Sequence, residues 1–183
     1  MASHGYFHIK QPNRPLIVAL FSHPSIKHAR QLEFIIDTGA DRTFIVPDWQ
    51  KLLDIHDKDL REYPGDIHTF AGTIKMRCLD GCSLIFPRYN PEGNPKSAYQ
   101  VSNLRVFFAA NSGFFSSLRR KPLTGAGKFP NVLGRDVLQQ MSLGYCKTSS
   151  YLFVTQRTKD YQTALTSVFP NPQEAQKTNW FDL

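Results

Sequence analysis

No apolar run in the 183-residue chain exceeds the six residues of "LIVALF", 16–21. That is far short of the roughly 20 residues a bilayer-crossing helix needs, so no membrane partner is expected. The N-terminal "MASHGYFHIKQPNRP" lacks the apolar centre of a secretion signal, which points to a cytoplasmic location. Cysteine is scarce and odd in number: Cys78, Cys82 and Cys146. The CxxxC spacing of the first two has no second CxxC or paired histidine to complete a metal site. Free thiols in a reducing compartment follow. The six histidines (4, 8, 23, 28, 56, 68) show no metal spacing either, so no metal and no cofactor is expected. Acidic charge is also short, leaving a net +7. Yet Lys and Arg are spread along the chain, with one tight cluster at Arg119-Arg120-Lys121 and no zinc-finger or RNA-binding signature. That cluster reads as a solvated loop, and nucleic acid is not an expected partner. Internal repeats are absent.

What is present is β-forming. The chain carries 14 Phe and many Val, Ile and Thr, residues that favour a pleated, half-buried surface. "RPLIVALFS" and "QLEFIIDTG" read as strands joined by the polar segment 22–30, and "RTFIVP" as a third strand ended by Pro47. "PDWQKLLDI" reads as a short helix. "GDIHTFAGTIKMRCLDG" reads as a hairpin turning near Ala71-Gly72, followed by a separate strand, "CSLIF". The Pro/Gly/Asn-rich "PRYNPEGNPKS" reads as a loop. "VSNLRVFFAA" is a strand and 111–131 a long loop. "VLGRDVLQQM" starts as a strand, turns at Gly134 and continues as a short helix, and "SLGYCKTSSYLFV" reads as a closing hairpin. From Thr155 onward the chain is polar and loses periodicity.

Two motifs carry chemistry. In "LEFIIDTGADRTFIVP", 32–47, a buried strand delivers Asp37 into a tight turn, where a carboxylate is costly unless paired, hydrogen-bonded or neutralised. Downstream, Val132-Leu133-Gly134-Arg135-Asp136 places an apolar pair and a glycine ahead of a helix. A lone D-T-G is a weak signal, and its flanks together with the matching second motif make it stronger.

On these residues the chain resembles the retropepsin-like aspartic proteases over roughly 14–154. "FIIDTGADRTFI" is similar to the catalytic loop, "HTFAG" to a flap, and "NVLGRDVL" to the strand and helix that brace the loop. GRD, where retroviral members usually carry GRN, is similar to the cellular and microbial members. The resemblance implies a mostly-β, retropepsin-like closed barrel or sandwich with one or two short helices. It divides the chain into an N-terminal segment (1–13), the protease domain (14–154) and a polar C-terminal extension (155–183). It also implies an aspartic endopeptidase acting on extended polypeptides. That chemistry needs two carboxylates sharing one proton, one acting as base toward a water and the other as acid toward the scissile carbonyl. No second D-[ST]-G exists: Asp80-Gly81 lacks the hydroxyl and Gly65-Asp66 is reversed. The second carboxylate must come from another chain, so a C2 homodimer with Asp37 at the axis is expected.

The resemblance further assigns roles. Asp37, Thr38 and Gly39 form the catalytic triplet, with the Thr38 hydroxyl bonding across the axis and the Gly39 N–H aimed at the Asp37 carboxylate. Ala40 and Asp41 touch the substrate backbone, and Asp41 pairs with Arg135. Phe70, Ala71 and Gly72 form the flap tip, and Val132 lines an apolar subsite. Gly134 and Arg135 support the loop. The C-terminus departs from retroviral enzymes in being mostly polar, apart from Trp180, Phe181 and Leu183. Dimerisation is therefore expected through a sheet built from residues near the N-terminus and 140–154, in a stand-alone cellular enzyme. The alternatives are a catalytically silent peptide-binding module of the same fold and, on charge alone, a basic nucleic-acid-associated domain whose binding would weaken steeply with salt.

Overall fold

A computed structural model of the chain describes residues 3–8, 11–69, 72–89, 95–109, 131–146 and 151–156. The expected period of two is plain in strand β4 (Arg30–Ile36), where Leu32, Phe34 and Ile36 are buried while Gln31 and Glu33 face solvent. It pairs antiparallel with β3 (Gln11–Ser22), from Leu16↔Ile35 to Phe21↔Arg30. Alternation of this kind pins the register, because a one-residue slip would turn the whole apolar set outward.

The remaining described strands are β1 (Ser3–His4), β2 (Tyr6–His8), β5 (Phe44–Ile45), β6 (Arg61–Thr69), β7 (Gly72–Tyr89), β8 (Pro95–Ala109), β9 (Asn131–Leu133), β10 (Met141–Cys146) and β11 (Tyr151–Gln156). Helix α1 (Pro47–Leu52) follows β5, with Pro47 in its first turn, where a missing N–H costs nothing. Helix α2 (Arg135–Leu138) follows β9. One sheet runs β2-β3-β4-β9-β5-β8-β7-β6, and an additional β3–β7 pairing closes its six central strands into a barrel. A second sheet, β1-β11-β10, contains the expected closing hairpin. The mostly-β closed barrel with two short helices expected from the sequence is the fold observed.

The barrel interior is filled by Phe21, Phe34, Phe86 and Phe108 with Ile17 and Ile45, all essentially inaccessible to water. Each such side chain contributes about 1.5–3 kcal/mol relative to exposure. One feature of the topology positions the site. Strand β9 lies between β4 and β5, parallel to the first (Ile35↔Val132, Ile36↔Leu133) and antiparallel to the second (Phe44↔Val132). The chain therefore leaves β4 at Asp37, loops past the end of β9, and returns on its far side.

Two segments differ from expectation. The sequence suggested a break at Asp80-Gly81, but β7 runs unbroken for 18 residues. Gly81 takes φ +75° and the register with β8 shifts on both sides of Cys82. A bulge thus absorbs the turn signal, and only glycine adopts that backbone at no cost. The segment 87–100, expected as a loop, is largely ladder: Pro87↔Ala98, Arg88↔Ser97 and Tyr89↔Pro95 pair across β7 and β8. Among the described residues neither strand has a second sheet neighbour along this stretch, so the missing N–H of Pro87 and Pro95 can face the open edge. Ahead of the strand expected from Arg14, β2 pairs with β3 and β1 with β11. The cluster Arg119-Arg120-Lys121 and the tail residues Trp180, Phe181 and Leu183 lie outside the described residues.

Candidate active site

The Asp37 loop is locked by the chain that crosses it. The Asp37 N–H donates to Leu133 O (3.1 Å), extending the β4–β9 ladder one rung past the strand. A tight turn follows, closed by Ala40 N–H to Asp37 O (3.2 Å). From the other side, Arg135 N–H donates to Ala40 O (2.8 Å) and Asp136 N–H to Asp41 O (3.3 Å). Buried backbone groups must find partners, and here the start of α2 supplies them to the loop.

Within the turn, the Gly39 N–H donates to Asp37 Oδ1 (2.9 Å). The N–H was expected to aim at this carboxylate, and Gly39 does so from a backbone outside the left-handed region. A Cβ at 39 would stand 3.2 Å from that same carboxylate oxygen, so the Asp37 side chain would have to give by a few tenths of an ångström. Asp37, Thr38 and Gly39 are all exposed in the single chain, and Ala40 is half-buried. Asp41 is exposed and forms an ion pair with Arg135, itself 52% exposed at the side chain. So exposed a pair adds little to stability. Val132 is buried on the strand crossing beside Asp37. Gly134 is packed against the Arg42 backbone, and an added Cβ would lie 2.4 Å from the Arg42 carbonyl carbon. That close approach explains the glycine, whose φ of −91° any residue could adopt.

Three supporting residues escaped the sequence reading. Thr43, 1% exposed, donates its hydroxyl to Asp136 Oδ1 (2.7 Å) and accepts from the Gly134 N–H (3.0 Å). Its own N–H donates to Asp136 Oδ2 (3.0 Å). Asp136 thus grips the far end of the Asp37 loop with both oxygens, and its Oδ1 also accepts the Val137 N–H (3.0 Å). Asn131, 1% exposed, accepts the Val46 N–H (3.0 Å) and donates to Glu33 O (2.9 Å), joining the strands on either side of β9. The faint signal was an Asn immediately before, and an Asp immediately after, the apolar-Gly-Arg run. Nothing in one sequence says which distant backbone they reach.

The expected flap corresponds to the β6–β7 hairpin, paired up to Thr69↔Gly72. Phe70 and Ala71 lie outside the described residues, and Gly72 opens β7 just beyond them. Below the hairpin, Tyr63 meets Phe107 edge-on, with ring centroids 5.1 Å apart. Burial pushes the Cys82 thiol up to about 12, keeping it protonated and unreactive. Partial desolvation by its neighbours raises the Glu33 carboxyl, although the residue faces solvent. Among the described residues no group of three or more His, Cys, Asp or Glu converges as a metal site would require.

No protein-family model matches the sequence, and no curated protein matches it. Among solved structures the chain is similar to a retropepsin-like aspartic protease from Rickettsia conorii. The two are 14% identical, the match covers 84% of this chain and 96% of that one, and the TM-score is 0.49. It is also similar to EIAV protease in complex with the inhibitor HBY-793, at 19% identity over 69% of this chain and 86% of that one, with a TM-score of 0.39. The closed six-strand barrel carries the D-T-G loop at the end of β4, where β9 crosses it.

Proposed function

We propose that the chain is one half of an aspartic endopeptidase, active as a C2 homodimer in which each copy supplies one Asp37. The observation that carries this reading is Asp37 itself. A rigidly held loop at the end of a buried strand presents an exposed carboxylate, oriented through one oxygen by Gly39. The other oxygen has no partner among the described residues. One such group can act as base or as acid, but peptide hydrolysis by water needs both at once.

In the dimer the two carboxylates approach to about 3 Å, where both cannot be ionised, and they hold one proton between them. The ionised partner takes a proton from a water lying between them. The resulting hydroxide oxygen bonds to the scissile carbonyl carbon, while the protonated partner gives its proton to the carbonyl oxygen. Collapse of this diol breaks the C–N bond, the departing nitrogen takes up a proton, and the shared proton returns to the pair. Thr38, exposed beside Asp37, bonds across the axis and holds the carboxylates coplanar. Substrate lies extended beneath the β6–β7 hairpin, with Ala40 and Asp41 meeting its backbone and Val132 an apolar side chain.

The dimer requirement is tested by mixing wild type with Asp37→Asn at constant total chain and letting subunits exchange. If both carboxylates are needed, an equal mixture of the two proteins retains about a quarter of the wild-type activity, because only that fraction of pairs is wholly wild type. A fall to about half would mean that each chain works alone, contrary to this reading.

A further inference from the structure

The outer face of the barrel carries an apolar row that begins beside Asp37. Cross-strand partners share a face of a sheet, and the registers Ile35↔Val132, Val132↔Phe44, Phe44↔Phe107 and Phe107↔Cys78 link five strands in one line. Their immediate neighbours Ile36, Leu133, Ile45 and Phe108 belong to the barrel interior, and none of the row does. Val132, Phe107 and Cys78 are buried under their neighbours, and Ile35 and Phe44, half-buried, are the accessible part of the row. Two residues beyond Ile35, on the same strand parity, stands Asp37.

A cation sits over this row. The exposed Arg42 places its guanidinium carbon 6.0 Å from the Phe107 ring centroid, a position the ring's electron-rich face favours. Its backbone is held firmly, since it packs against Gly134 and lies between Asp41 and Thr43, both bonded to α2. No acid answers the charge among the described residues: Asp41 is taken by Arg135, and Asp136 by Thr43. The arrangement combines an apolar floor next to the reacting carboxylate with a fixed, unpaired positive charge at its rim.

We infer that Arg42 is a specificity-determining residue which selects peptides carrying an acidic side chain close to the scissile bond. Glutamate fits best, with its methylene stem on the half-buried Phe44 and its carboxylate meeting the guanidinium in a charge-assisted pair. This rests on the aspartic endopeptidase reading. Because a C2 dimer presents two copies of Arg42, the preference appears at one position on each side of the cleaved bond.

The test uses the full-length protein and peptides that differ only by Glu, Gln or Lys at each position flanking one cleaved bond. Wild type should favour Glu over Gln in kcat/KM by at least about tenfold at one position on each side, the worth of one charge-assisted hydrogen bond. The ratio should shrink as salt is raised, collapse toward one in Arg42→Gln, and invert in favour of Lys over Gln in Arg42→Glu. Circular dichroism establishes that both variants are folded. A wild type that cuts the Gln peptides as well as the Glu peptides, or a preference unchanged in Arg42→Gln, overturns the inference and leaves the protease reading standing. Failure of the wild type to cut any peptide overturns both.

Discussion

Replacing Thr43 by valine tests how the Asp37 loop is held. Valine matches threonine in shape, so the change removes the hydroxyl and little else. Two bonds go with it: the 2.7 Å donation to Asp136 and the 3.0 Å acceptance from the Gly134 N–H. A hydrogen bond to a charged group contributes about 1.5–3 kcal/mol, and an orphaned buried N–H costs about 1–3. Asp136 keeps its bonds from the Thr43 and Val137 N–H groups, which places the expected loss near the low end of the sum, at about 3 kcal/mol. Thr43→Ser keeps the hydroxyl and deletes one buried methyl, for about 1 kcal/mol. The assay is urea unfolding followed by the fluorescence of half-buried Trp49, at one fixed chain concentration because the proposed dimer would add to apparent stability. With a slope of about 2 kcal/mol/M, the valine variant should unfold roughly 1.5 M earlier, and the serine variant about 0.5 M earlier. If serine proves as damaging as valine, or if valine costs less than about 1 kcal/mol, the hydroxyl does not hold the loop and the reasoning fails.

Two further outcomes follow from the same geometry. Gly134→Ala should destabilise by about 1–3 kcal/mol and lower kcat as well, because its Cβ would press on the Arg42 backbone at 2.4 Å and displace the loop that carries Asp37. Unfolding curves and kinetics measured on one preparation would show both. His23 accepts the Ser25 N–H at Nδ1 (3.2 Å), so its proton is assigned to Nε2, facing Asp80 O at 2.9 Å. Burial lowers its pKa, and Asp59 offsets this only in part. The unfolded chain then binds the proton more readily. Stability should rise as pH increases through the lowered pKa and level off above about 6.5. A His23→Asn variant whose stability changes with pH as the wild type's does would refute this.

The features that could be read in the sequence are those with local causes. Leu32, Phe34 and Ile36 announce β4 by their period of two, and Asp37-Thr38-Gly39 announces the loop by composition. Pairings between distant segments could not be read. Thr43 and Asp136 are 93 positions apart, and no local pattern reveals that one holds the other. The passage of β9 between β4 and β5 is equally non-local, and it turns Asn131 from an ordinary loop residue into a bridge between strands. Local signals also misled where tertiary pairing overrode them. Asp80-Gly81 reads as a turn, yet sits as a bulge within β7, where the Asp80 carboxylate meets Arg61 and Arg105 across neighbouring strands. Pro87 and Pro95 read as part of a loop, yet they sit in the β7–β8 ladder, on an edge left open among the described residues. Gly134 stood out by its place in the second motif, but its reason, the close approach of the Arg42 backbone, is again non-local.

The measurement that bears most directly on the central claim is cleavage of a denatured protein or a peptide mixture by the wild type and by Asp37→Asn. It should be made across about pH 3 to 8, at chain concentrations where dimers are present. The account predicts cutting by the wild type with an acid-leaning profile, and none by the variant, whose amide cannot share a proton with its partner. Equal cutting by both proteins, or none by the wild type dimer at any pH, would contradict it.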